Sequence, residues 1–130
     1  MRPAAALLAL PLVLAACGTT GGGEDADLAG LSWARLGQRV YVDGPAVTPL
    51  EVLEDSRCPA GARCAWAGQV RIRAIVHLGP GDVERELVTG KPVVVADGKL
   101  ELVATRPVAI RDKAILAEDY RFGLRFSGGL

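Results

Sequence analysis

The sequence predicts an all-β domain, an antiparallel β-sandwich of immunoglobulin-like size, with a small β-barrel as the alternative. Short segments in which apolar and polar residues alternate recur along the chain. Turn sequences that contain glycine or proline separate these segments. No segment after the leader has the length and period of a long helix. Repeated short strands without long helices are typical of sandwiches and barrels.

The first element is a leader at residues 1–16. Its apolar run, Ala4–Ala16, is shorter than the roughly 20 residues that span a bilayer, and it fits the core of a secretory signal. It ends in Leu14–Cys17, with the sequence Leu-Ala-Ala-Cys. This ending resembles the bacterial lipoprotein signal, which implies cleavage before Cys17 and acylation of that cysteine. An ordinary signal peptide with an incidental cysteine is the alternative.

Two features after the leader indicate where the domain is located in the cell. They are the residue that follows Cys17 and the linker. In Gram-negative lipoproteins an aspartate after the acylated cysteine favours inner-membrane retention, so the resemblance implies that Gly18 favours the outer membrane, facing the periplasm. Residues 17–30 hold the cysteine and a stretch rich in glycine and acidic residues, which predicts a flexible tether with a reach of about 20 Å. The all-β domain is predicted at residues 31–130.

The strands are predicted in order along this domain. Arg39–Asp43 and Val47–Glu54 are extended segments, and Pro49 places the second at a sheet edge or at a bulge. Val70–Leu78 is the clearest strand, because every second residue is apolar. The turn at residues 79–82 predicts a hairpin back to residues 83–89.

That hairpin has a predicted register. Leu78 faces Val83, and His77 faces Glu84 as a surface pair. The same register puts Arg85 on the apolar face, which an edge position or a bulge would relieve.

A second hairpin and a last strand complete the predicted sheets. Asp97-Gly98 predicts a two-residue turn that pairs Val95 with Leu100. Val108–Arg111 is a possible extension of the sheet, and Asp112–Asp119 predicts a short helical segment. Tyr120–Phe126 alternates again and predicts the final strand.

The segment between the second and third strands has the most unusual composition in the domain. Cys58 and Cys64 have five residues between them. Because the leader predicts an oxidising compartment, we expect a disulfide that closes this loop, with a stabilisation of about 2 kcal/mol. A redox role is the alternative, since Arg57 and Arg63 would lower a thiol pKa. The spacing is not Cys-x-x-Cys, however, and no βαβ pattern surrounds it.

Trp66 follows the second cysteine, and two interpretations are open. It packs under the disulfide as a structural residue, or it is exposed beside Arg57 and Arg63 and forms a recognition site with them. Glu51, Glu54 and Asp55 form a small acidic cluster near the loop. This cluster is more typical of a solvated face than of a cation site, because no calcium-loop spacing occurs.

The loop also carries a resemblance. Residues 55–59 read Asp-Ser-Arg-Cys-Pro, and residues 64–68 read Cys-Ala-Trp-Ala-Gly. With four residues between them, they resemble the motif D-S-R-C-P-(x)4-C-x-W-A-G of a group of small, uncharacterised bacterial lipoproteins. Residues 118–120 also resemble the C-terminal end of that group. The resemblance implies an exported β-domain and gives no catalytic residue.

The composition and the motifs of the chain argue against several classes of function. Lys+Arg and Asp+Glu are both 15, and this balance argues against a nucleic-acid partner. No serine has a nucleophile motif, and the domain offers no set of metal ligands. We therefore expect no enzyme activity and no cofactor. The sequence favours a lipid-anchored envelope protein that acts as a protein-interaction or accessory module. The alternatives are an inhibitor of an envelope enzyme acting through residues 57–66, and a thiol–disulfide protein.

Overall fold

The computed structural model describes residues 11–12 and 28–128. The predicted cleavage site of the leader, Cys17 and most of the predicted tether lie outside the described residues. The described chain is built of short β-strands and one turn of 3-10 helix at Ala117–Asp119. The strands are β1 Ser32–Ala34, β2 Val40–Tyr41, β3 Ala46–Asp55, β4 Val70–His77, β5 Asp82–Val88, β6 Val93–Val95, β7 Gly98–Arg106 and β8 Arg121–Gly128.

The strands form two antiparallel four-stranded sheets. One has the order β1-β8-β7-β6, and the other has the order β2-β3-β4-β5. Neither sheet closes on itself. The predicted sandwich is therefore confirmed.

The core lies between the two sheets because the alternating strands turn their apolar faces towards each other. In β4, Val70, Ile72, Ala74 and Val76 are all fully buried, while the residues between them are partly exposed. The last strand buries Phe122 and Leu124 in the same way. Within the part of the chain that the structure describes, the buried core residues and those packed against them lie between residues 34 and 126. A fragment of residues 28–130 contains this core and is expected to fold on its own.

Pro49 pairs with Ala74 of β4 but lies beyond the two residues of β3 that pair with β2, so its other side is a local edge of the sheet. Strand β3 is flanked by β2 and β4, and its register with β4 shifts between Pro49 and Glu51. Because proline has no N–H to donate to the ladder, a bulge beside it is a tolerated arrangement. Pro49 therefore lies both at a local edge and beside a bulge, the two positions predicted for it.

The predicted register of the first hairpin is wrong by two residues. Val76 pairs with Val83, and His77 pairs with Asp82 rather than Glu84. The turn is formed by Leu78–Gly81, whose end residues exchange backbone hydrogen bonds of 3.1 and 3.2 Å. The imidazole of His77 is hydrogen-bonded to Asp82 Oδ1 through Nδ1 at 2.9 Å.

Strand β5 forms the outer edge of its sheet, which resolves the problem posed by Arg85. Arg85 lies opposite Ala74 and is exposed, as are its neighbours Glu84 and Glu86. Both glutamates are bonded to arginines of β4. The edge therefore carries charged side chains along its middle.

The second hairpin is also shifted by two residues from the prediction. Val93 pairs with Leu100, and Val95 pairs with Gly98. The turn residues are Ala96 and Asp97, and Ala96 takes a φ of 51°. Gly98 is the first residue of β7, and a Cβ at this position would clash with the carbonyl oxygen of Ser127 on β8. The glycine is thus required by close strand packing rather than by the turn.

The link between β7 and β8 does not form the predicted sheet extension. Within Val108–Arg111, only Ile110 makes β-bridges, to Ala60 and Lys113. The predicted helical segment at residues 112–119 contracts to the 3-10 turn at its end. Both links, residues 56–69 and residues 107–120, lie at the same end of the sandwich, which is called the loop end below.

Candidate functional site

The loop end is held together by direct contacts between its two links. The backbone N–H of Ala60 donates to the carbonyl oxygen of Ala109 at 2.8 Å, and Ala60 forms a parallel bridge with Ile110. The two links come from opposite sheets, β3–β4 and β7–β8. The loop end therefore joins the sheets at one end of the core.

The predicted disulfide is present. Cys58 and Cys64 are bonded, with their Cα atoms 5.9 Å apart. Inside the closed loop, the N–H of Ala62 donates to the carbonyl oxygen of Pro59 at 3.1 Å, which forms a tight turn. Cys58 is half-buried and Cys64 is exposed.

The two limbs of the loop are also paired below the disulfide. The N–H of Ser56 donates to the carbonyl oxygen of Gln69 at 2.9 Å, and that of Cys58 donates to Ala67 at 3.1 Å. Gly68 lies between these contacts with a φ of 72°, and a Cβ there would be 1.8 Å from the carbonyl oxygen of Ser56. Only glycine satisfies both conditions. The segment that carries Trp66 is therefore fixed at both ends.

Trp66 is 73% exposed, so the interpretation that it packs under the disulfide is wrong. The space between the loop and β7 is spanned instead by the side chain of Arg57. This arginine donates from Nη1 to the carbonyl oxygens of Thr105 and Pro107, at 3.1 and 2.9 Å. The indole of Trp66 therefore lies on the surface of a loop whose backbone is held by the disulfide and by the paired limbs.

Arg57 is directed inward, where it forms an ion pair with Asp55. Its Nε and Nη2 donate to the two carboxylate oxygens of Asp55, both at 2.8 Å. Tyr120 Oη donates to Asp55 Oδ2, also at 2.8 Å. These three side chains are called the Asp55 network below. Because it contacts β3, β7 and the start of β8, the network links the two sheets at the base of the loop end.

The ionisation of the network follows from these contacts. The hydrogen bonds from Arg57 hold the pKa of Asp55 below its ordinary value of 3.8. Burial, together with the hydrogen bond to Asp55, raises the pKa of Tyr120 to about 12. At neutral pH the network is therefore an ionised pair with a neutral phenol, which suits a structural role.

The predicted acidic cluster does not act as one unit in the structure, and the two arginines of the loop have different surroundings. Asp55 is bonded within the network, and Glu51 pairs with Arg73 on the outer face of the sheet. Arg57 is half-buried, with its guanidinium engaged, whereas Arg63 is exposed. Of the three candidate interaction residues, Arg63 and Trp66 are available at the surface and Arg57 supports the loop from within.

Apolar side chains other than Trp66 are also exposed at the loop end. Val108, Ile110 and Leu116, all from the second link, are 65%, 51% and 59% exposed. Beside them lies a groove of about 400 Å³ that includes Val108, Ile110 and Ile115 in its lining. The sequence pattern predicts a sheet extension and a short helical segment here, and it gives no signal for these exposed residues.

A second, shallower depression lies beside Trp66. It has a volume of about 440 Å³ and is lined by Glu54, Ser56, Trp66, Ala67, Gly68 and Gln69. Gln69 Nε2 donates to Glu54 Oε2 at 2.8 Å, which orients the carboxylate. This depression is called the Trp66 cleft below.

Within residues 11–12 and 28–128, no group of three or more His, Cys, Asp or Glu side chains is placed to hold a metal ion. Over the same residues there is no helix of the length and apolarity that crosses a membrane. Comparison of the chain with protein families, curated proteins and solved structures gives no match in any of the three.

Proposed function

We propose that this chain is a lipid-anchored protein of the cell envelope that acts as a non-enzymatic protein-binding module, and that the loop end is its binding surface. The observation that carries the proposal is the exposure of Trp66 on a loop that is fixed by a disulfide and by paired backbone. Tryptophan is enriched among the residues that dominate protein–protein binding energies.

The fixed loop favours binding because association normally requires flexible segments to become ordered. A loop already held in one conformation loses little entropy when a partner arrives. The neighbouring exposed residues Val108, Ile110 and Leu116 enlarge the apolar part of the same end. Arg63 adds an exposed charge at its rim.

The proposed location rests on the leader. The residues Leu14–Cys17 favour acylation of Cys17, and Gly18 favours the outer membrane with the domain in the periplasm. Stable anchoring requires more than one acyl chain, and bacterial lipoproteins typically carry several. The tether then keeps the loop end within reach of other envelope proteins.

Chemical cross-linking in intact cells that express the full chain tests the proposal. A photo-reactive residue placed at Arg63 is expected to capture one defined envelope protein, and W66A is expected to remove that product. Tyr41→Ala is the matched control, because Tyr41 is a 68% exposed aromatic residue outside the loop end. Capture that is equal in wild type and W66A would refute the loop end as the binding surface.

The inhibitor alternative uses the same fixed loop and predicts a different readout. If the captured protein is an enzyme, the fragment of residues 28–130 should lower its turnover, and W66A should not. The redox alternative draws support from Cys64, which is an exposed residue. Thiol labelling after mild reduction tests it. A disulfide that resists reduction while the domain is folded would exclude this role.

A further inference from the structure

The Trp66 cleft combines an aromatic surface with an oriented carboxylate. Trp66 forms one wall, and Glu54 contributes a half-buried carboxylate that Gln69 holds in place. The hydroxyl of Ser56 is already bonded to the backbone N–H and carbonyl of Gln69, at 3.0 and 3.2 Å. Among the described residues, the indole of Trp66 and the second carboxylate oxygen of Glu54 make no hydrogen bond, so both can contact a ligand.

The charge of the cleft is not neutralised by the protein itself. Among the described residues, no lysine or arginine forms an ion pair with Glu54. Arg71 lies opposite Glu54 in the β3–β4 register, but its guanidinium is bonded to Glu86 at 3.1 Å. Arg63 does not line the cleft. A carboxylate beside an aromatic face, without an internal cation, is complementary to a positive charge.

We infer that the Trp66 cleft receives a basic side chain, arginine or lysine, from the protein partner. The inference rests on the proposed function and names the chemistry of the partner's contact. An arginine guanidinium would stack on the indole and donate to Glu54 at the same time, because its plane carries donors along its edge. Each contact strengthens as the cleft is covered, since desolvation increases both the cation–π and the ionic attraction.

The cleft can be tested without knowing the partner. The fragment of residues 28–130 is titrated with N-acetylarginine amide, and the indole N–H of Trp66 and the backbone amide of Gln69 are followed by NMR. N-acetylcitrulline amide is the matched probe, because it has nearly the same shape and no charge. Concentrations up to about 100 mM are needed, since a ligand of this size makes few contacts.

The expected result is a saturating shift of both signals with the arginine probe and a much smaller one with the citrulline probe. Glu54→Gln should reduce the arginine response about tenfold, as the loss of a charged hydrogen bond does. Glu118→Gln is the matched control at the same end, because it removes an equal charge outside the cleft. Equal responses to the two probes, no response at all, or a response that Glu54→Gln leaves unchanged would each overturn the inference.

The in-cell cross-link separates this inference from the function on which it rests. If W66A removes the captured product but Glu54→Gln does not, the loop end binds a protein and the basic side chain is wrong. If neither variant affects capture, the binding surface itself is wrong. If both weaken capture while Glu118→Gln does not, the inference and the function are supported together.

Discussion

Removing the negative charge of Asp55 should destabilise the domain without changing its shape. Asp55→Asn keeps the size of the side chain but leaves the guanidinium of Arg57 half-buried without its counter-ion. Charged hydrogen bonds contribute about 1.5–3 kcal/mol each, and breaking a fully buried pair costs about 3–5 kcal/mol. Because the two side chains are 20% and 15% exposed, we expect a loss of about 2 kcal/mol in the free energy of unfolding.

Urea unfolding of the fragment of residues 28–130, followed by tryptophan fluorescence, measures this loss. The midpoint should fall while the slope of the transition stays the same, because the folded core is unchanged. Tyr120→Phe removes only the hydroxyl donor to Asp55 and should cost about 1 kcal/mol. The double variant should lose less than the sum, since both changes affect one hydrogen-bonded network.

The pH dependence provides the refuting measurement. Because the folded-state pKa of Asp55 lies below its unfolded value, the stabilisation is complete above about pH 5 and is lost as the pH falls through the unfolded and then the folded pKa. The difference between wild type and Asp55→Asn should therefore be constant from neutral pH to about pH 5 and then shrink in acid. A difference below about 0.5 kcal/mol at neutral pH would refute the reasoning.

Three further predictions concern the same end of the domain. In a spectrophotometric titration, the phenolate absorbance of Tyr120 should appear near pH 12, and Tyr120→Phe should remove it. The free energy of unfolding of the wild type should fall between pH 10 and 12, because the raised pKa means that the folded state disfavours the ionised phenol. Gly68→Ala should destabilise the domain far more than Gly61→Ala, since both residues have positive φ but only Gly68 has backbone within reach of a Cβ; calorimetry of both variants checks this. Replacing Cys58 and Cys64 with serine should lower the free energy of unfolding by about 2 kcal/mol, and an unchanged urea midpoint would contradict the entropic account.

The parts of the fold that depend on local patterns were predictable from the sequence. The alternation in β4 and β8 identifies their buried faces directly, since the side-chain period of a strand is two residues. Sequence could not fix the registers of the two hairpins. Both depend on turn geometry, and the second also depends on the contact between Gly98 and Ser127, which are distant along the chain.

The candidate site was predictable only in part, for a similar reason. The disulfide was predictable from the number of cysteines and from the compartment that the leader predicts. The position of Trp66 does not, because it depends on what fills the space under the loop. That space is spanned by Arg57, whose partners Thr105 and Pro107 are far away in sequence. The local spacing of Asp55 and Arg57 was the one available signal for the network.

The charged edge of β5 affects how copies of this protein associate with one another when they are close together. The proposed lipid anchor would place copies of this protein on one membrane surface, where they would meet more often than in free solution. An uncharged edge strand would let two such copies join their sheets into a continuous ribbon. Glu84, Arg85 and Glu86 make that joining unfavourable, because like charges would be brought together as the ribbon formed. The charged edge therefore disfavours edge-to-edge association between copies of the domain.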